Sequence, residues 1–259
     1  MGVRALVVLT LVGGILGLGG PVSGAMIYMT AASDAGEAGA VTAAAGLLTG
    51  LGATVTVGVT PANFDGTVDL APYDAVVLNV GAAAAVTAIP TAGEQSLVDF
   101  VNAGGGLITC EWLIWNTGGN TVLAAILPAI KGGSTASSAQ TYVPVTPDPV
   151  INDGLAGNVV FTATNNGGSG TRLAARPGAT TFYNGSPTGA GLVGWQYGSG
   201  KVVSFNCVIG NETMADTDFQ TLFGNATEWV LPAGVVIPEP GTLALLALAG
   251  VGVLLKRKR

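Results

Sequence analysis

Two cysteines and fifteen carboxylates are the residues of this 259-residue chain whose types could do covalent or acid–base chemistry. Cys110 ends the run GGGLITC, at the place where a strand would stop, and Glu111 follows it directly. A thiol there acts as a nucleophile only if a neighbour lowers its pKa from about 8.5, and a histidine is the usual agent. The chain contains no histidine. A Cys-His-acid hydrolase is therefore excluded as the sequence stands, and a histidine-ligated metal site goes with it. Glu111 works in the wrong direction, because a nearby carboxylate raises a thiol pKa.

The remaining chemistry would have to come from carboxylates and indoles. Glu212, Asp216 and Asp218 in NETMADTDF form the densest acidic cluster. Asp216, Asp218 and Asn211 could supply oxygens to a weak calcium site. Capping of the last helix, with Asp218 directly before Phe219, is the favoured reading, since no calcium-loop repeat supports the ion. No cofactor is expected. A two-carboxylate glycosidase needs acids roughly 5–10 Å apart across a cleft, and Glu111 with Glu212 or Asp216 is the pair to inspect. Trp112 and Trp115 offer flat faces on which sugar rings could stack. Trp195 reads instead as a filler over the sheet. Asn211-Glu212-Thr213 and Asn225-Ala226-Thr227 match the glycosylation triplet, read here as chance.

Positioning such residues requires a sheet, and the hydrophobic pattern predicts one. Met26–Ala32, Thr54–Val59, Asp74–Val80 and Leu107–Glu111 read as strands, alternating with helices over Gly36–Leu51 and Thr91–Asn102. Ser33-Asp34 is the expected cap of the first helix. DAVVLNV is apolar almost throughout, as in a parallel strand covered on both faces. Later, Thr141–Pro149 is extended, and Val159–Ala163, Thr180–Tyr183, Gly191–Tyr197 and Lys201–Asn206 read as strands, with YGSG as a hairpin turn. Phe219–Leu231 closes as an amphipathic helix. Strand–helix alternation predicts right-handed crossovers in a doubly wound α/β layer.

The two ends carry addresses. Arg4, the apolar stretch Ala5–Leu18 and the small residues Ser23-Gly24-Ala25 form a secretory signal over residues 1–25, to be cut by signal peptidase. At the other end Pro238-Glu239-Pro240 precedes the uncharged run Gly241–Leu255 and then Lys256-Arg257-Lys258-Arg259. As a helix that run would reach ~22 Å, thin for a bilayer core of about 30 Å. The order of these features resembles the PEP-CTERM sorting signal. The resemblance implies an exported protein of a Gram-negative bacterium, held transiently in the inner membrane and cut near Pro238-Glu239-Pro240 by an exosortase-type membrane peptidase. It further implies a final place in the envelope or extracellular matrix and an association with exopolysaccharide. Between the ends lie a domain over residues 26–232 and a proline-rich linker over 233–240, followed by the sorting helix and basic tail over 241–259. The part between the two cuts holds four cations against fourteen acids, a net charge near −10. Nothing in that balance could neutralise a run of phosphates, so nucleic acid is not an expected partner.

YDAVVLNVG, LVDFVNAGGGLITCEW, VTPDPVINDGL, YGSGKVVSFN and FQTLFGNATEWVL occur in the order seen in ThuA-like domains, which they resemble. That resemblance places the chain near the class I glutamine-amidotransferase-like group. It implies a flavodoxin-like three-layer sandwich with a mostly parallel central sheet and an added β-hairpin. In such relatives a cysteine nucleophile sits on a tight turn with a glycine two residues on, where this chain has Trp112. ThuA-like domains carry histidines at places that here read Cys110-Glu111, Asp148-Pro149 and Gly210-Asn211. The implied protein keeps the fold without the catalytic groups; a glycan-acting hydrolase or a carbohydrate-binding module near Glu111 is the alternative. In a sheet of this type Cys110 and Cys207 would both end core strands. A disulfide between them in an oxidising compartment stands beside the alternative of two buried thiols.

Overall fold

The computed structural model describes residues 24–78, 88–136, 139–163, 169–185 and 189–237. The signal segment before Gly24, Asn79-Val80 of the expected third strand, Pro238-Glu239-Pro240 and the run to Arg259 lie outside the described residues.

Five short strands make the parallel half of the sheet: β1 (Met26–Met29), β2 (Thr54–Val57), β3 (Ala75–Val77), β4 (Gly106–Thr109) and, much later, β11 (Gly200–Phe205). Their order is β2-β1-β3-β4-β11, and all four pairings are parallel. Alternate side chains enter opposite layers. Ile27, Met29, Val77, Ile108 and Val203 join one core, while Tyr28, Val76, Leu107 and Val202 join the other. That two-faced burial explains the near-continuous apolar runs. Helix α1 (Ala38–Gly50) and the last helix, α4 (Thr217–Val230), cover the first face; α2 (Thr91–Asn102) and the short α3 (Glu111–Trp115) cover the second. The result is the three-layer α/β sandwich that the strand–helix alternation predicts.

Beyond β11 the sheet turns antiparallel. β10 (Ala190–Tyr197) pairs with β11 through the expected hairpin, whose turn holds Gly198 at φ 59°. The extension is larger than one hairpin. β9 (Thr180–Asn184), β6 (Ala139–Pro144) and β7 (Val159–Thr162) continue the order, and β5 (Ala129–Ala136) pairs with β8 (Ser169–Ala175), which touches β10. β5 and β8 escape the sequence reading because AIKGGSTA and SGTRLAA show no alternation of apolar and polar residues.

Several boundaries also move. The fourth strand stops at Thr109, and Glu111, expected within it, opens α3 instead. The last helix starts at Thr217, with Asp216 as its cap: Phe219 N donates to Asp216 Oδ1 at 2.9 Å. Asp218 lies inside the first turn, so the capping role falls two residues earlier than expected. Asp34 accepts from Gly36 N at 2.8 Å, as the Ser33-Asp34 pair implies, and starts a 3-10 turn that leads into α1.

Candidate functional site

The carboxyl edge of the parallel strands is where an α/β sheet places its chemistry. Here β4 and β11 lie side by side and their ends are tied together. Thr109 Oγ1 and Ser204 Oγ are 2.6 Å apart, and Glu111 N donates to Cys207 O at 3.2 Å. That last contact sets Cys207 beside the Cys110–Glu111 peptide. Cys110, Glu111 and Cys207 are all fully buried.

Tyr142, from β6, closes the site. Its hydroxyl lies 2.5 Å from Asn206 Oδ1, 2.9 Å from Gly191 O and 3.5 Å from Cys207 Sγ. One phenolic proton serves one acceptor at a time, so the short contacts make a compact polar knot. Around it Phe161 meets the Tyr142 ring edge-on at 4.9 Å between centroids, and Phe219 lies 4.8 Å from Phe161. This aromatic packing stands against the Cys207 sulfur.

Electrostatics point the same way. Burial pushes the Cys207 thiol far above its ordinary value; the Tyr142 hydrogen bond opposes it in part, and the neighbouring Glu111 and Cys110 add smaller upward effects. Burial likewise holds the Tyr142 phenol well above its usual range, with Cys207 and then Glu111 adding to it. Both groups stay neutral at physiological pH, the state opposite to that of an activated nucleophile. Neither cysteine is in a disulfide in this structure. Cys110 and Cys207, for which the sequence leaves a disulfide or two buried thiols open, are both buried, and the Tyr142 hydroxyl stands against the Cys207 sulfur.

The other candidates are scattered. Asp216 is engaged in capping α4, and Asp218 is exposed in its first turn. Glu212 is half-buried at the start of a 3-10 turn, and its Oε2 makes no hydrogen bond among the described residues. Among the described residues no three His, Cys, Asp or Glu side chains gather as a metal-binding group. Two grooves, of about 280 and 490 Å³, lie between α1 and α4 and beside α2. Neither is lined by Glu111, Glu212 or Asp216.

Trp112 is buried against Val208, which removes it as an open stacking face. Trp115 is 37 % exposed, meets Trp112 edge-on at 6.0 Å, and carries Lys131 Nζ 3.1 Å above its ring. A sugar ring would compete with that ammonium for the ring face. Trp195 donates from Nε1 to Ile126 O at 2.8 Å and packs on the second core.

The three places where the ThuA-like resemblance expects imidazoles are occupied by structural bonding. The first is the sealed Cys110-Glu111 corner. At the second, Asp148 Oδ1 accepts from Val150 N and Ile151 N at 2.9 and 3.1 Å, and Trp229 Nε1 donates to Asp148 Oδ2 at 3.2 Å. At the third, Asn211 N donates to Glu37 Oε2 and Asn211 Nδ2 to Gly36 O, both at 2.8 Å. Asn225 Nδ2 is held by Ile151 O and Asp153 O, so both triplet asparagines serve the fold. Sequence reasoning missed Tyr142, which no local pattern marks.

Comparison with known proteins fits this description. The PEP-CTERM protein-sorting motif matches residues 236–259, a segment that implies an exported protein sorted by an exosortase, a membrane peptidase, toward the envelope of a Gram-negative bacterium. Two cytoplasmic proteins of Salmonella typhimurium superpose with TM-scores of 0.63 and 0.62, each at 15% identity over 80% of this chain and 99% of theirs. A ThuA-like protein from Parabacteroides merdae superposes at 0.60, with 14% identity over 83% of this chain and 92% of that one. These likenesses show an α/β fold shared with a ThuA-like protein. No curated protein matches the chain in sequence. Among the described residues no helix is long and apolar enough to cross a membrane; the expected sorting helix lies outside them.

Proposed function

We propose that this protein is a non-catalytic envelope or matrix component: a ThuA-like domain, over residues 26–232, that is exported, sorted through its C-terminal signal and associated with exopolysaccharide. The observation that carries the reading is the closed carboxyl edge. Both thiols and Glu111 are buried, the Tyr142 hydroxyl stands against Cys207, and the chain has no histidine to activate either sulfur. A fold of this class that had kept its chemistry would leave a nucleophile open to solvent. The glycan-acting hydrolase loses support for the same reason, since Glu111 cannot face a sugar from inside the core.

A carbohydrate-binding role without catalysis remains compatible with the half-exposed Trp115 and Lys131. Co-sedimentation of the processed protein with the host's exopolysaccharide tests the association, with a Trp115→Ala variant alongside. Binding with no release of reducing sugar is the expected result. Reducing ends appearing in proportion to protein, and lost in Glu111→Gln, would establish the hydrolase instead.

A further inference from the structure

The first strand begins at a position with a specific acidic partner. Met26 N donates to Asp74 Oδ2 at 2.8 Å, and Asp74 N donates back to Met26 O at 2.8 Å. Met26 is also the residue that follows Ser23-Gly24-Ala25, the small-residue site at which a signal peptide would be cut. Cleavage there turns an amide N–H into an α-ammonium without moving the atom. We infer that signal-peptide removal after Ala25 leaves the new Met26 α-ammonium in place on Asp74, so that processing converts an amide-to-carboxylate hydrogen bond at the start of β1 into an ion pair.

Among the described residues of the strands and helix packed on β1, Asp74 is the charged group at this point. β2 (Thr54–Val57), which pairs with β1, has no titratable side chain, and neither does α1 over Ala38–Gly50. β3 has none over Ala75–Val77; the residue before Asp74 is Tyr73, whose ring lies edge-on to Tyr28. α4 supplies Asp218 and Glu228, and it packs mainly on β4, β7 and β11. Met26 and Asp74 are both half-buried, so the pair is screened by water on one side only. A carboxylate within hydrogen-bond reach favours the charged form of an amine and raises its pKa above the usual 7.7–8.0 or so. Charge-assisted bonds of this kind are stronger than neutral ones.

Cleavage also has a structural consequence nearby. Gly24 forms an isolated parallel bridge with Val236, and Ala25 O accepts from Thr54 N at 2.8 Å. Both contacts leave with the signal peptide. The Asp74 pair then becomes what fixes the start of β1, next to the two strands that flank it.

This inference rests on the export reading, and the experiment separates the two. The full precursor is expressed in an exporting host, and the purified protein is read by N-terminal sequencing. Recovery of uncut precursor overturns the export reading, while a mature chain starting anywhere but Met26 overturns only the assignment made here. On the Met26 protein, the α-amine is titrated by NMR after isotopic dimethylation, for wild type and Asp74→Asn. The expected result is a pKa raised by about one unit in wild type, a tenfold preference for the charged form, and an ordinary value in Asp74→Asn. Equal values overturn the ion pair. Since the variant also alters a hydrogen bond, a second measurement uses wild type alone. Selective acetylation of the α-amine should abolish the part of the stability that is full below about pH 7.7 and lost as pH rises through the raised folded value; unchanged pH dependence overturns the pair as well.

Discussion

At the scale of single residues, Cys207 and Tyr142 make the closed site measurable. Both are neutral acids that the fold holds protonated, by burial above all. The unfolded chain ionises them at ordinary values, about 8.5 for a thiol and 10 for a phenol. Above pH 8.5 the unfolded state therefore binds fewer protons, and folding stability falls. The contribution is full below that pH and declines as pH rises, by up to ~1.4 kcal/mol per unit for each group. Urea unfolding across pH 8 to 11 should show this decline, and Cys207→Ala should flatten it by one group. An unchanged slope would show that the thiol ionises alike in both states. That Cys110 lies at a strand end was legible from GGGLITC, whereas Glu111, read into the strand, opens α3. Tyr142 was not legible, because it reaches the site from β6, 32 residues after Cys110. Where a side chain on a distant antiparallel strand points depends on register, which local periodicity does not fix.

Among elements, the helices give the sharper tests. Gly93 is buried within α2, and a Cβ there would run into Phe64 O. Gly46 sits exposed within α1, and a Cβ there would meet nothing within 4 Å. Helix propensity alone favours alanine at both by roughly 0.5–1 kcal/mol. Gly46→Ala should therefore stabilise by about that amount, and Gly93→Ala should destabilise, in chemical denaturation. If both stabilise, α2 does not pack against the Phe64 backbone as described. The start of α4 offers a second contrast. Asp216→Ala removes the bond to Phe219 N and should cost ~1 kcal/mol, while Asp218→Ala loses only a favourable position in the first turn. Most helices and parallel strands were readable because each repeats its apolar residues at its own period. The β5–β8 ribbon was not, since its pairing partners lie about 40 residues apart and its glycines blur the alternation.

At the scale of the whole molecule, the described domain is a low-charge sheet with helices on both faces, followed by the PEP-CTERM sorting motif over residues 236–259. Its sorting has a direct check: protein from the native host should lack, by mass spectrometry, both the leader and the segment from about Gly241 to Arg259. An intact Lys256–Arg259 terminus in the membrane fraction would indicate a simple anchor instead. The segment that carries the sorting motif was legible because composition alone defines it, whereas the closure of the site depends on contacts across the whole sheet. One further consequence follows from the bridge between Gly24 and Val236. The described domain thus begins and ends at neighbouring points. A short linker from near Ile237 back to Met26, with a new opening at the exposed turn around Gly157, should give a circular permutant with the same sheet order. In such a permutant the domain's architecture would no longer depend on where export and sorting cut it.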